Sequence, residues 1–200
     1  MNHFVQAHID SAGLWLVFVL VMLESTGLPL PGETALIAAA FLASRGHFEI
    51  VDVIAVAAAA AIIGDNCGYW IGRTWGRQLL TRWRRLERFS ERVLPPSERF
   101  FARHGGKAVF LARFVAVLRV TAAWLAGVNR MTWWRFLFWN AAGGVLWATG
   151  VGLLAYYAGQ AVAEAFDRYG LFGAAILIAL LVLAAIGLHV WRRRVIPEKG

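Results

Sequence analysis

The 200-residue chain is 60% hydrophobic and only 16% charged, with a mean hydropathy of +0.59. An average globular chain is about half apolar and a quarter charged, so this composition excludes an ordinary soluble domain and indicates an integral membrane protein. The single cysteine, Cys67, excludes a disulfide scaffold and a multi-cysteine metal site. The net charge of +8 is concentrated in residues 73–107 and in the last ten residues. Both clusters flank apolar segments, and therefore predict a cytoplasmic membrane face rather than a nucleic-acid surface.

The first apolar block, residues 13–43, is too short and too interrupted for a simple span. Residues 14–28 form about 22 Å of helix, less than the hydrocarbon core of about 30 Å. Pro29, Pro31 and Gly32 then break the helix before helix-forming residues resume. The block therefore predicts a helical hairpin that enters and leaves the membrane on the same side.

The remaining apolar blocks predict three spans and a second hairpin. Residues 53–72, 136–163 and 171–191 are each long enough to cross the membrane. A full span at residues 108–128 would place the two basic clusters on opposite faces, so we predict that this block is re-entrant. The expected fold is an all-α polytopic membrane protein with about three full transmembrane helices and two opposed re-entrant helical hairpins. In inverted-repeat transporters, such elements build a site near the membrane midplane.

We predict a single membrane domain that begins outside the cytoplasm and ends inside it. Its segments are an extracytoplasmic stretch (1–12), the first hairpin (13–45), a transmembrane helix (50–76), a basic cytoplasmic loop with an amphipathic helix (77–107), the second hairpin (108–130), two transmembrane helices (133–163 and 170–191) and a basic cytoplasmic tail (192–200).

Charged residues inside the hairpins are the candidates for function, because each costs about 2.5–3.5 kcal/mol at the membrane centre on insertion scales. The first hairpin carries Glu24 and Glu33, and the second carries Arg113 and Arg119. The planar fork of arginine suits phosphate, and a carboxylate held away from water takes up a proton readily. We therefore expect the arginines to bind an anionic headgroup and the glutamates to carry or gate a proton. The alternative is an ion-pair cluster that only joins the hairpins.

Other polar residues in the spans are predicted to play supporting roles. Asp65, Tyr69 and Arg73 are spaced by four and share a helix face with a stripe of glycines. This pattern fits a packing seam with a polar clamp as well as a direct role with substrate. Asn140 is expected to satisfy a neighbouring helix. The sequence shows no metal-ligand spacing, phosphate loop or activated nucleophile, so we expect no metal, no cofactor and no enzymatic activity.

Four stretches of the chain together resemble the DedA family of membrane proteins, also called VTT-domain or SNARE-associated proteins. They are the run from Glu24 to Glu33 (ESTGLPLPGE), the run from Gly64 through Tyr69 to Arg73, the run from Phe110 through Arg113 and Arg119 to Met131, and the set Phe138, Asn140, Gly143 and Trp147. One position departs from the family pattern, because Ala116 stands where the family usually has a proline between the two arginines.

The resemblance implies a lipid translocase or scramblase in a bacterial cytoplasmic membrane. Bacterial members are linked to recycling of undecaprenyl phosphate, to movement of phosphatidylethanolamine and to membrane homeostasis that depends on the proton-motive force. The resemblance aligns Glu24, Glu33, Arg113 and Arg119 with the family's functional charged residues. The expected partners are membrane lipids and protons, without nucleic acid, and homo-oligomerisation stays open. The alternatives are a proton-independent phospholipid scramblase and a structural or assembly protein.

Overall fold

The computed structural model describes residues 2–82, 103–114 and 116–195, and the regular elements within these ranges are all helices. They are α1 (Asn2–Thr26), α2 (Gly32–Ser44), α3 (Ile50–Arg82), α4 (Gly106–Ala112), α5 (Ala116–Val128) and α6 (Trp133–Val195). The chain divides into two compact units, Met1–Tyr156 and Tyr157–Gly200. The described residues therefore confirm the expected all-α class, and the candidate site lies in the first unit.

The predicted helix break in the first apolar block is present. Helix α1 ends at Thr26, and Gly27 follows with a φ of 124°, a backbone conformation that glycine adopts far more readily than other residues. Pro31 immediately precedes α2. Helix α1 begins at Asn2, earlier than expected, so residues 2–12 belong to this helix instead of preceding it.

Helix α2 folds back along α1. Gly32, the first residue of α2, lies so close to the end of α1 that an added Cβ would be 2.8 Å from the Val21 Cα. Just beyond the other end of α2, Phe48 lies against Gly13 near the middle of α1. The two helices therefore form a hairpin, as predicted. Its entry and exit on one side of the membrane stay a prediction.

Close packing of α3 follows from its small residues. Buried alanines of α3 pack with Val17 and Val21 of α1 in the larger apolar core. A Cβ on Gly64 would lie 2.2 Å from the Met22 carbonyl oxygen, and one on Gly72 would lie 2.3 Å from the Trp124 carbonyl oxygen. The glycine stripe therefore brings α3 into backbone contact with α1 on one side and α5 on the other, as expected of small residues in membrane helices.

The second hairpin contains a helix break even without the usual proline. Helix α4 ends at Ala112 and α5 begins at Ala116. Between them, the backbone N–H groups of Arg113 and Phe114 donate to carbonyl oxygens three residues earlier in the chain, each at 3.3 Å. In an α-helix the acceptor lies four residues earlier, so the regular hydrogen-bond pattern stops here. Residue 115 lies outside the described residues. Ala116 therefore begins α5 at the position where the family pattern has proline.

The membrane character of the chain is visible in its helices and its surface. Ile50–Gly76 and Trp133–Glu164 are long and apolar enough to cross a membrane, in a search limited to the described residues. Large apolar side chains are exposed on several helices, including Trp15 (66%), Phe138 (66%) and Leu154 (75%). A surface of this kind matches a hydrocarbon solvent rather than water.

Several predicted boundaries differ from the structure or fall outside it. Helix α3 continues to Arg82, beyond the expected end at residue 76, and α6 covers both predicted spans, 133–163 and 170–191, without the expected interruption between them. Most side chains of the last span lie outside the described residues, as do residues 83–102 of the basic loop and 196–200 of the tail. The exact count of three spans therefore stays a prediction.

Candidate functional site: a buried charge cluster

The first half of the cluster is built around Arg113, at the end of α4, which is only 4% exposed. Its Nη1 donates hydrogen bonds to the Asp65 carboxylate and, at 2.7 Å, to Asn140 Oδ1. Asn140 in turn donates from Nδ2 to the Ile62 carbonyl oxygen at 3.3 Å. The arginine is thereby fixed to α3 and α6 through one of its nitrogens.

The second half of the cluster is built around Arg119 of α5, which is 6% exposed. Its Nη2 donates to Glu24 Oε1, and its Nη1 lies 3.7 Å from Glu33 Oε2. The other oxygen of Glu24 accepts the backbone N–H of Glu33 at 2.8 Å. Both glutamates of the first hairpin therefore face a single arginine of the second hairpin.

The helix break in the first hairpin places Glu24 and Glu33 in this position. Glu24 lies near the end of α1 and Glu33 is the second residue of α2, so the turn containing Pro29 and Pro31 joins them. A Cβ on Gly32 would lie 2.4 Å from Glu24 Oε2, and only glycine leaves room for the carboxylate there. The proline and glycine pattern thus creates the acidic side of the cluster.

Trp147 of α6 connects the two halves. Its ring centroid lies 5.8 Å from the guanidinium carbon of Arg113 and 5.0 Å from that of Arg119. Such cation–π contacts gain strength where water is excluded, and Trp147 is only 7% exposed. Sequence reasoning did not include this residue in the site. Two signals were available: its place in the fourth stretch of the family resemblance, and its position well inside the predicted span, away from the interfacial belt typical of membrane tryptophans.

Several polar atoms of the cluster are buried without a hydrogen-bond partner among the described residues. They are Arg113 Nε and Nη2, Arg119 Nε and Asp65 Oδ1. An unsatisfied buried polar group costs about 1–3 kcal/mol, so a network that served stability alone would be expected to satisfy them. The free atoms are mostly guanidinium donors, the groups that bind anions. In the same described part of the chain, no three His, Cys, Asp or Glu side chains are grouped to hold a metal ion.

The structure places the four charged residues that the sequence singled out around Trp147, in two separate groups. Glu24 and Glu33 both contact Arg119, whereas Arg113 pairs with Asp65. Asp65 was predicted to support the site, with a packing seam and a direct role with substrate both left open. It is 2% exposed and belongs to the cluster itself.

Tyr69 and Arg73 lie apart from the cluster, in a clamp on the connection between α5 and α6. The Tyr69 hydroxyl donates to the Met131 carbonyl oxygen, and Arg73 Nη1 donates to the same oxygen at 3.1 Å and to Tyr69 at 2.8 Å. The Tyr69 ring is fully buried and stacks on Phe136 with centroids 4.6 Å apart. These contacts correspond to the interpretation in which Tyr69 and Arg73 belong to a packing seam with a polar clamp.

The helices and the cluster define a class: a helical membrane protein in which charged side chains meet at breaks between short helices. A family model of the VTT domain matches residues 30–161. The chain is 40% identical to an uncharacterized membrane protein of Synechocystis over 150 residues, 75% of this chain and 69% of that protein. It is 39% identical to one of Mycobacterium tuberculosis over 186 residues, 91% and 85% of the two chains.

The protein DedA of Escherichia coli is 34% identical over 155 residues, 74% of this chain and 68% of its own length. No solved structure matches. This chain therefore belongs to the DedA family of VTT-domain membrane proteins, and the resemblance carried by its four sequence stretches is confirmed.

Proposed function

We propose that this DedA-family protein is a lipid transporter, and not an enzyme. It would move a lipid phosphate such as undecaprenyl phosphate across the bacterial cytoplasmic membrane, coupled to protons, and so support the cell envelope. The observation that carries the proposal is the pair of buried guanidinium groups on either side of the α4–α5 break. Both keep donors that no described residue accepts.

Phosphate is the ligand class that best fits these donors. A guanidinium is planar and presents paired N–H groups that match two oxygens of a phosphate, which makes arginine the preferred residue for bidentate phosphate binding. Arg113 and Arg119 both contact the Trp147 ring, so the two charges lie beside the same side chain. The surrounding apolar surface would accommodate the lipid chain while the arginines hold the headgroup.

The proposed proton carriers are Glu24 and Glu33. The side chain of Glu24 is 17% exposed and that of Glu33 is 45% exposed, whereas that of Asp65 is 3% exposed. A carrier must meet both Arg119 and a source of protons, and only the two glutamates combine these features among the described carboxylates of the cluster. Asp65, bound to Arg113, would position that arginine.

The remaining parts of the proposal follow from charge and composition. The basic loop, residues 73–107, and the tail would face the cytoplasm, in accordance with the positive-inside rule. Membrane lipids and protons would be the partners, with no role for nucleic acid. Homo-oligomerisation stays open.

The decisive experiment is a flipping assay with purified protein in proteoliposomes. Fluorescent analogues of undecaprenyl phosphate and phosphatidylethanolamine would be compared, each with and without an imposed pH gradient. We expect the phosphate lipid to flip faster and its flipping to accelerate with the gradient. Empty liposomes and liposomes with heat-denatured protein are the controls.

Each other outcome identifies a different function. Equal flipping with and without the gradient would identify a proton-independent phospholipid scramblase. Release of a product from the phosphate lipid would contradict the assignment as a non-enzyme. Absence of flipping by folded protein, with lower stability in variants of the charged residues, would favour a structural or assembly role.

A further inference from the structure

The Glu24 carboxylate occupies a place built from two anion-binding groups. Its Oε1 accepts a hydrogen bond from Arg119 Nη2, and its Oε2 accepts the backbone N–H of Glu33 at 2.8 Å. That N–H lies in the first turn of α2, a 13-residue helix, where the helix dipole favours negative charge. An arginine combined with N–H groups at a helix N-terminus is an arrangement suited to binding phosphate.

Building on the proposed function, we infer that Glu24 is an internal competitor of the substrate: its carboxylate occupies the phosphate position and leaves when it takes up a proton. The close approach of Gly32 supports this inference. A Cβ there would lie 2.4 Å from Glu24 Oε2 and would fill the place that the carboxylate occupies. The backbone is thus open to an anion at this point.

Arg113 lies beside the same Trp147 ring as Arg119 and keeps donors without a partner among the described residues. Its Nη1 is engaged by Asp65 and Asn140, whereas Nε and Nη2 are buried and have no partner among the described residues. These two nitrogens lie on one edge of the planar group and form a fork that matches two oxygens of a phosphate. If a phosphate replaced Glu24 on Arg119, Arg113 would be the second guanidinium nearby and could contribute these donors while Asp65 stays bound.

The charge balance explains why a proton must accompany the phosphate. The charged residues that meet here from the packed elements are Glu24 of α1, Glu33 of α2, Asp65 of α3, Arg113 at the end of α4 and Arg119 of α5, while α6 contributes the neutral Asn140 and Trp147. With all of them ionised, three negative charges face two positive charges, and a phosphate would be repelled. Protonation of Glu24 removes one negative charge and releases Arg119 Nη2.

Glu24 is the carboxylate in the best position for this exchange. Asp65 is buried and fixed on Arg113, and Glu33 lies 3.7 Å from Arg119, beyond hydrogen-bond distance. Glu24 makes the direct contact with Arg119 and is partly exposed at 17% of its side chain. It can therefore compete with phosphate and also reach a proton.

The inference is tested by binding of geranyl phosphate, a short-chain lipid phosphate, to the full-length protein in detergent at pH 6 and pH 8. At pH 8, Glu24→Gln should bind about tenfold more tightly than the wild type, a difference of about 1.4 kcal/mol. Asp52→Asn is the matched control, because Asp52 lies about 20 Å from Asp65 along α3, at 1.5 Å per residue. It should bind like the wild type. Because ionisation of the probe affects all variants equally, a difference in affinity between Glu24→Gln and the wild type reports on Glu24 alone.

A second variant and a transport measurement distinguish the proposed role of Glu24 from an effect of misfolding. Glu24→Asp keeps the charge but shortens the reach of the carboxylate, and should give a smaller gain in affinity. In proteoliposomes, Glu24→Gln should flip lipid at the same rate with and without a pH gradient, which a merely structural role for Glu24 would not produce.

The outcomes separate this inference from the function on which it rests. If the wild type binds the probe and neither Glu24 variant binds more tightly at pH 8, the competitor role is wrong and the transport proposal stands. Loss of binding in folded Glu24→Gln would also overturn the inference, since Glu24 would then help to hold the ligand. If the wild type binds no geranyl phosphate at either pH, both proposals fail.

Discussion

At the residue scale, Arg113 donates to both of its described partners through a single nitrogen, Nη1. Asp65 and Asn140 therefore orient the guanidinium without occupying its other edge. Gly143 and Gly144 let α6 pack closely against it, since a Cβ at these positions would lie only 3.1 Å from Arg113 Cδ and 3.4 Å from Nη2, respectively. The arginine is held in place while two of its donors keep no hydrogen-bond partner among the described residues, and a fixed orientation is one requirement of a preorganised anion site.

Replacement of Arg113 by lysine tests whether this geometry matters beyond charge. A lysine keeps the positive charge but lacks the planar fork, so we expect transport of the phosphate lipid to fall by about tenfold or more, as hydrogen bonds to charged groups contribute about 1.5–3 kcal/mol. The flipping assay in proteoliposomes measures it. Arg45→Lys, at the exposed C-terminal end of α2, is the control. Full transport by Arg113→Lys would argue against direct phosphate binding.

Replacement of Trp147 tests its contact with both arginines. Trp147→Leu removes the aromatic face and should lower the free energy of unfolding by about 1–2 kcal/mol more than Trp147→Phe, since a desolvated cation–π contact contributes up to about 2 kcal/mol. Thermal unfolding in detergent measures the difference. Trp134→Leu, at a site that is 69% exposed, should change stability little. Equal effects of leucine and phenylalanine at position 147 would contradict the cation–π interpretation.

At the element scale, helix breaks and small residues together build the site. The α1–α2 turn places two carboxylates beside each other, and the α4–α5 break places one arginine on each side. The glycine stripe of α3 lets α1 and α5 approach on either side, which brings Glu24 to Arg119. A larger side chain in place of one of these glycines should therefore push apart the helices that form the cluster.

Gly72→Ala tests this packing. The new Cβ would lie 2.3 Å from the carbonyl oxygen of Trp124, a backbone atom that cannot move alone, so we expect a loss of about 1–3 kcal/mol in stability from overpacking. Gly150→Ala is the matched control within a helix, because its Cβ would meet nothing within 4 Å. That variant should be neutral or more stable by up to about 1 kcal/mol, through helix propensity. Thermal unfolding measures the stability of both variants. Equal stability of Gly72→Ala and Gly150→Ala would contradict the close approach of α3 and α5 at Gly72.

At the scale of the whole molecule, the predicted topology depends on the re-entrant character of the second hairpin. Helix α4 has only seven residues and α5 has 13, so neither reaches across a hydrocarbon core of about 30 Å by itself. With that hairpin re-entrant, and with residues 133–163 and 170–191 each crossing the membrane as predicted, the basic loop and the tail lie on the same face. With it spanning, they lie on opposite faces.

Cysteine labelling distinguishes these arrangements. After Cys67→Ser, single cysteines would be introduced by Gln6→Cys, Ser97→Cys and Lys199→Cys and treated with a membrane-impermeant thiol reagent. We expect labelling at position 6 in intact cells, and at positions 97 and 199 only after the membrane is opened. Labelling of positions 97 and 199 from opposite sides would contradict the predicted topology, in which residues 108–128 are re-entrant and residues 133–163 and 170–191 both cross the membrane.

The sequence by itself determined the membrane class, the family, the first helix break and the four charged residues, because each is a local property of composition or of short motifs. The break at residues 113–115 was predicted only indirectly, from the placement of the two basic clusters on one membrane face. Only the tertiary structure decided which charges meet. The pairing of Asp65 with Arg113, the convergence of both glutamates on Arg119 and the place of Trp147 depend on how α3, α5 and α6 pack. Contacts between residues as far apart as Glu24 and Arg119 are set by the shapes of whole helices, which no local pattern encodes.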